Sequence, residues 1–402
     1  MTDGWLRGGC RAVPLVGGGF EPPFGMGVGA VSQRGLEEVI AASTRLSDVD
    51  GKQGRLWYVG YDIHDLATKS TFEEVTYLLH NLRLPTEPEL DELSERLVSE
   101  REVSPFLEGL MPTLAEQTSP MSMLRTGVSA ASAYDPDGWD NSAEANERKA
   151  VRLIAMTPTL IAMYHRMRTN EMVVPPHPKL PHAANFLYML SGNEPEQLDA
   201  AALDTTLILY ADHTFNASTF TARVIASTQS DMFSAITGAI AALKGPLHGG
   251  ANEEAMKMLE EVGDPTNAER YIKDRLGRRE RIMGFGHRVY KTEDPRATHL
   301  RKLSQELGER KGDTRWFDIS AEIERVVGQE KGLHANVDFF AASVYHYLEI
   351  PTDLMTPVFA LARMVGWTAH VREQYADNRL IRPESDYIGP RDQVYVPIDR
   401  RG

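Results

Sequence analysis

From Val151 to Met167 the chain is apolar nearly all round. A helix without a polar face has nothing to offer water, so this one must be buried on most sides. Pro158 falls inside it and is expected to kink it. Its Met, Leu and Tyr side chains are read as core, not as a cofactor box. An amphipathic version of the same period appears earlier. Phe72, Val75, Leu78 and Leu79 form a stripe after Thr71, which is placed as an N-cap. Leu56-Trp-Tyr-Val59, ahead of Gly60, reads as a short strand. No βαβ alternation, internal repeat or low-complexity core accompanies these elements. The expected class is mainly α.

A chain of 402 residues can bury a full core and is long enough for two domains. With 42% apolar and 25% charged residues, it does not have the composition of a disordered protein. It has no apolar run long enough for a membrane span, and its first 30 residues lack the pattern of a secretory signal. The lone Cys10 can form neither an internal disulfide nor a CxxC metal site. These features fit a cytoplasmic protein.

The net charge of −14 speaks against a general nucleic-acid binder. The charge is uneven, however: residues 270–310 hold 12 Lys/Arg against 6 Asp/Glu. A charge run is ordinarily a solvated helix face. This one brackets Gly284-Phe-Gly286-His287, which favours a polyanionic ligand. Residues 1–30 are rich in Gly and Pro and are expected to be a flexible extension. Gly25-Met-Gly27-Val-Gly-Ala30, with Asp48 downstream, matches a dinucleotide fingerprint. Pro22-Pro23 stands where the preceding strand belongs, so the match carries no cofactor site.

Four short polar segments interrupt the helical sequence: Asp212-His213-Thr-Phe-Asn216, Gly245-Pro-Leu-His248-Gly249-Gly250, Gly284-Phe-Gly286-His287-Arg288 and Asn336-Val-Asp338. His248 precedes a helix with Met256, Leu259 and Val262 on one face. A helix N-terminus lowers a histidine pKa, and a neutral imidazole can donate N–H to a developing enolate oxygen. Asp338 falls in the first turn of a helix over Val337 to Leu348 with Asn336 as N-cap. There the helix dipole favours the ionised carboxylate, either as a structural first-turn acid or as a general base. His213 and His287, taken singly, read equally well as satisfied core histidines.

Together these segments resemble the active site of citrate synthases, and the likeness runs from about Gly35 to the C-terminus. The resemblance implies a large helical domain (31–243 and 351–402) interrupted by a small helical domain (244–350), with the active site in the cleft between them. It implies that Asp338 takes a proton from acetyl-CoA and that His248 stabilises the enol. His287 would polarise the oxaloacetate ketone, with His213 and Asn216 helping to hold that substrate. Arg296, Arg363 and Arg382 match the family's arginines, which grip carboxylates through paired hydrogen bonds. Arg382 would reach across a homodimer into the partner's site. Lys291, with Arg288 and Lys257, is expected near the coenzyme A phosphates. Val59 stands where family members often carry an arginine. No cofactor or metal is expected, and neither is a membrane or nucleic-acid partner.

Two other readings remain beside it. A 2-methylcitrate synthase, using propionyl-CoA, shares Gly366-Trp-Thr-Ala-His370 and the arginine pattern. A non-catalytic helical dimer with a decayed site belongs to a different class, and the presence of every catalytic position argues against it. His248-Gly-Gly also resembles the oxyanion turn of lipases, but the sequence has no Gly-x-Ser-x-Gly elbow. Nor does it contain an HExxH or a P-loop pattern.

Overall fold

The computed structural model describes residues 34–36 and 39–401. The extension expected over 1–30, its Gly25–Ala30 fingerprint and Cys10 lie outside the described residues. The chain divides into two compact units. The smaller includes the short 3-10 turns Arg34–Leu36 and Ile398–Arg400. The larger, residues 42–382, contains all that follows.

It opens on three antiparallel strands, β1 (Ser47–Asp50), β2 (Arg55–Tyr58) and β3 (Tyr61–Asp62), with Tyr58 opposite both Ser47 and Tyr61. Tyr58 ends the strand expected to reach Val59. Val59 has φ 49°, rare for a β-branched residue, and Gly60 has φ 83°. The main chain therefore turns immediately after Tyr58.

Sixteen α-helices make up most of the remaining described structure. The first five are α1 (Ile63–Lys69), α2 (Phe72–Asn81), α3 (Glu87–Ser99), α4 (Pro105–Gln117) and α5 (Pro120–Ala131). The long α6 (Ala143–Arg168) follows, then α7 (His182–Ser191), α8 (Gln197–Tyr210), α9 (Ala217–Ser227) and α10 (Met232–Leu243). The stretch expected as an insert holds α11 (Ala251–Val262), α12 (Pro265–Gly277), α13 (Pro295–Lys311), α14 (Arg315–Lys331) and α15 (Val337–Tyr347). Last comes α16 (Met355–Ala376). No helix among the described residues is long and apolar enough to cross a membrane.

Local chemistry starts these helices where the sequence places them. Thr71 accepts from the Glu74 N–H at 3.2 Å while Glu74 accepts from the Thr71 N–H at 2.9 Å, a reciprocal cap on α2. α6 runs unbroken across Pro158, and residues 153–164 are all buried. Its partner in the core is α16, buried from Leu354 to Val371 and packed also on α8, α9 and α10. Helices α11 to α15 pack on one another, while α11 touches α16 and α13 touches α1 and α8.

α16 also fixes the segment that leaves α8. Gly366 N–H donates to the Ala211 carbonyl at 3.1 Å. A Cβ at Gly366 would stand 2.3 Å from that oxygen and 2.6 Å from Asp212 Oδ1, so only glycine permits the approach. Asp212 is buried, accepts from the Ser47 hydroxyl and lies 3.2 Å from His370 Nε2. Arg223 donates to His370 Nδ1 at 3.0 Å and pairs with Glu373 at 2.6 Å, so the His370 proton sits on Nε2, facing Asp212. His213 follows directly from this anchored residue.

Gly366→Ala is therefore expected to lower the thermal midpoint by several degrees, since overpacking a core costs about 1–3 kcal/mol. Gly328→Ala, in α14 with no atom near the added Cβ, should leave the midpoint level or raise it slightly. Differential scanning calorimetry of both variants checks the contrast in sign.

Candidate active site

All four polar segments converge on one cavity of about 810 Å³. His213, Asn216, His248, His287, Arg296, Asp338 and Arg363 all line it. The last two segments are stitched together by the backbone. Gly286 N–H donates to the His334 carbonyl and Asn336 N–H to the Gly284 carbonyl, both at 2.9 Å, and Asn336 Nδ2 donates to the Gly286 carbonyl at 3.0 Å. Gly284 has φ 80°, and a Cβ there would lie 2.7 Å from Phe339 Cβ. This short bridge sets His287 and Asp338 on facing sides of the same loop pair.

Two of the three loop histidines, His248 and His287, have one ring nitrogen occupied by main-chain N–H groups. At His248, Nε2 accepts the Ser218 N–H at 3.2 Å, from the first turn of α9. Ser218 Oγ, 2.9 Å from the same nitrogen, is held by Asn216 Oδ1 at 2.8 Å and the Trp367 indole N–H at 3.1 Å. The proton of neutral His248 is thereby placed on Nδ1. At His287, Nδ1 accepts from the Val289 and Tyr290 N–H groups at 3.0 and 3.2 Å, which places its proton on Nε2. Burial, then the Arg363 charge, pushes His248 down to about 4; burial, then Arg296, does the same to His287. Both are neutral donors at physiological pH. The helix end that holds His248 belongs to α9, not to α11, which its own loop begins.

His213 is buried, 3.2 Å from the Tyr290 hydroxyl and edge-on to His287 with ring centres 5.3 Å apart. Burial and the Arg296 charge hold it well below the usual histidine value. Asn216 caps α9 by accepting from the Thr219 N–H at 3.1 Å.

Asp338 donates its N–H to Asn336 Oδ1 at 3.0 Å, as the N-cap reading requires, and α15 runs from Val337 to Tyr347. Its carboxylate is not shifted as a first-turn acid would be. Burial outweighs the Tyr210 hydrogen bond and the arginine charges and raises it to about 6. The side chain is thus a stronger base than a surface aspartate.

Two buried guanidinium groups complete the wall. Arg296 spends Nε and Nη2 on Asp294, at 2.9 and 2.8 Å, and Asp294 also accepts the Val337 N–H at 3.1 Å. Arg363 spends only Nε, on the Tyr210 carbonyl at 2.6 Å, and has no ion-pair partner among the described residues. A buried cationic donor such as Arg363, without a carboxylate in hydrogen-bond contact, favours an anion beside it.

A family model for the citrate synthase C-terminal domain matches residues 35–384. The chain is 50% identical to citrate synthase 2 of Bacillus subtilis (strain 168) over 369 residues, 92% of this chain and 99% of that one. The chain belongs to the citrate synthase family. It is also 43% identical to the citrate/2-methylcitrate synthase of the same organism, over 90% of this chain and 97% of that one. The fold superposes with TM-score 0.87 on a citrate synthase from Thermoplasma acidophilum in ternary complex with carboxymethyl coenzyme A and oxalateacetate. That pair is 35% identical, over 92% of this chain and 99% of that one.

Of the other residues singled out for this family's chemistry, only Arg288 reaches the cavity. Arg288 is exposed but lines the cavity. Lys291 is outside the lining and is held through its N–H to the Gly51 carbonyl at 2.8 Å. Lys257 lies on the exposed face of α11, paired with Glu254 at 2.7 Å. Arg382 is exposed beyond the end of α16 and does not line its own chain's cavity. The structure adds residues that the motifs did not single out: Tyr210, Ser218, Tyr290 and Asp294, with Arg281 and Lys331 at the cavity. Asp294 had a readable signal, an Asp-Pro pair opening a helix before Arg296.

In the citrate synthase family member described here, the groups titrate in two tiers. Asp338 is raised to about 6, so if its carboxylate serves as the base, activity is lost as pH falls through that value. His248 and His287 protonate only near 4. The kcat/KM profile is expected to show one acidic limb with its midpoint near 6. A midpoint below about 5 would contradict the assignment of Asp338.

Proposed function

We propose that this chain is a citrate synthase, an acyl-transferring enzyme that condenses acetyl-CoA with oxaloacetate and water to give citrate and coenzyme A. One observation supports this above the others. Two neutral imidazoles with their N–H groups fixed, a carboxylate of raised pKa and two buried guanidiniums share a single cavity.

On this reading Arg296 and Arg363 receive the oxaloacetate carboxylates, with His213 and Asn216 beside them. His287 donates Nε2–H to the ketone oxygen and makes its carbon electrophilic. Asp338 removes a methyl proton from acetyl-CoA while His248 donates Nδ1–H to the thioester oxygen. The enol carbon attacks the ketone carbon, and water then cleaves citryl-CoA. Nothing in this course calls for a cofactor beyond the two substrates. Arg288, Lys291 and Lys257 are proposed for the coenzyme A phosphates; Arg281 and Lys331, which line the cavity, extend that basic set.

Residues 244–350 are proposed as a small domain that closes on the large one (31–243 and 351–402) once oxaloacetate is bound, keeping water from the thioester. The mutual packing of α11 to α15 supports this division. We also propose a cytoplasmic homodimer in which Arg382 completes the partner's site.

Acetyl-CoA is favoured over propionyl-CoA because identity is higher to citrate synthase 2 than to the citrate/2-methylcitrate enzyme of the same organism. The expected outcome is a higher kcat/KM for acetyl-CoA, by the roughly 10–200-fold that one methylene provides. Coenzyme A release with each thioester measures it, and a reversed ratio makes the enzyme a 2-methylcitrate synthase.

The assembly has its own test. Arg382→Ala and Asp338→Asn should each be nearly inactive alone. A mixed dimer would hold one doubly defective site and one intact site, recovering up to about half of wild-type activity. No recovery in a heterodimer shown to form would place Arg382 in its own chain's chemistry.

A further inference from the structure

A carboxylate has two oxygens, and a base that must meet one particular hydrogen needs one of them chosen. At Asp338 that choice is made by a residue outside the motifs. The Tyr210 hydroxyl donates to Asp338 Oδ1 at 2.8 Å, the only hydrogen bond to that carboxylate among the described residues. Tyr210 is the last residue of α8 and is completely buried. Its ring packs on Phe359 with centres 4.4 Å apart, and its carbonyl accepts Arg363 Nε at 2.6 Å. Ring and backbone are thus both held by α16, so the phenol oxygen has little freedom. Burial keeps the phenol well above its usual pKa, hence protonated and able to donate.

We propose that Tyr210 is the positioning residue for the general base, pinning Asp338 through Oδ1 and leaving Oδ2 as the oxygen that receives the substrate proton. The inference rests on the function proposed above. The methyl C–H bond breaks, its electron pair forms the C=C bond, the C=O π pair passes to the thioester oxygen, which takes the His248 Nδ1 proton, and the methyl proton ends on Oδ2. The same residue joins both halves of the chemistry: its side chain orients the base, and its backbone carries a substrate arginine.

The groups that face Asp338 come from four directions. Arg296 and Asp294 approach from the start of α13, Arg363 from α16, Tyr210 from α8 and Tyr345 from further along α15. The Tyr210 bond favours the ionised carboxylate and so opposes the effect of burial. Its loss leaves burial less opposed, and the Asp338 midpoint rises.

Two variants of the full-length chain test this. Tyr210→Phe removes the hydroxyl but keeps the ring on Phe359 and the carbonyl on Arg363. It should move the acidic limb of kcat/KM up by about one pH unit and lower kcat by about tenfold or more. Calorimetric affinity for oxaloacetate should stay within about twofold, because the backbone contact is unchanged. Replacing Tyr210 by 3-fluorotyrosine gives a more acidic, stronger donor of nearly the same shape. It should move the limb down, and it decides the matter even if Tyr210→Phe does not fold. A merely structural role predicts no such opposite pair. An unshifted limb, or shifts in the same direction, overturns the proposal. The carboxyl infrared band that vanishes in Asp338→Asn titrates the base without turnover. If the wild-type protein releases no coenzyme A, the functional reading fails. The band's midpoint in the two variants still supports or overturns the role of Tyr210.

Discussion

A positive charge buried without a carboxylate partner governs this active site. Arg363 lies midway along a helix that is buried from Leu354 to Val371, and its one hydrogen bond among the described residues goes to a backbone carbonyl. Burying such a charge costs several kcal/mol unless something compensates. Asp294 does so for Arg296 but does not reach Arg363. The buried Asp212 carboxylate offsets part of that cost through its charge, without a hydrogen bond to the guanidinium; a substrate carboxylate in the cavity is proposed to supply the direct pairing. The same charge reaches further: it helps to hold His248 and His213 neutral and opposes the rise at Asp338.

On the proposed reading, neutral histidines serve only if their protons sit on the nitrogen facing the substrate. Main-chain N–H groups choose the nitrogen, from the first turn of α9 for His248 and from Val289 and Tyr290 for His287. Backbone donors cannot rotate away, so the tautomers are set before substrate arrives and no reorganisation is needed during reaction. The position of the accepting His248 ring depends in turn on a close approach. Gly249, whose added Cβ would meet the Leu243 carbonyl at 2.4 Å, folds the His248 loop tightly against α10.

The sequence made the local parts of this arrangement readable. Thr71 and Asn336 cap the helices expected of them, and the all-round apolar stretch in α6 is buried. The three loop histidines, Asp338, Arg296 and Arg363 lie around one cavity, as their motifs suggested. Long-range pairing was not readable. Nothing local marks Tyr210 as the partner of Asp338, 128 positions away, or Ser218 as the partner of His248. The direction of the Asp338 shift was missed for a related reason. A first-turn position argues for a depressed pKa, but that argument counts only the helix dipole, whereas burial by α8, α13 and α16 decides the outcome.

Raising the base and lowering the electrophilic donors are two results of one physical condition. Desolvation disfavours whichever form is charged, so it raises a carboxyl and lowers an imidazole in the same cavity. Asp338 near 6 and the two histidines near 4 are therefore separated without any group dedicated to each. Above about 6, the site would hold an ionised carboxylate and uncharged donors together, the combination that the proposed enolisation needs. Opening the cavity to water would relax both shifts at once, drawing Asp338 down and the histidines up. The base would weaken and the donors would approach their titration range. Enclosure of the site is for this reason part of its acid–base chemistry, beyond keeping water away from a thioester.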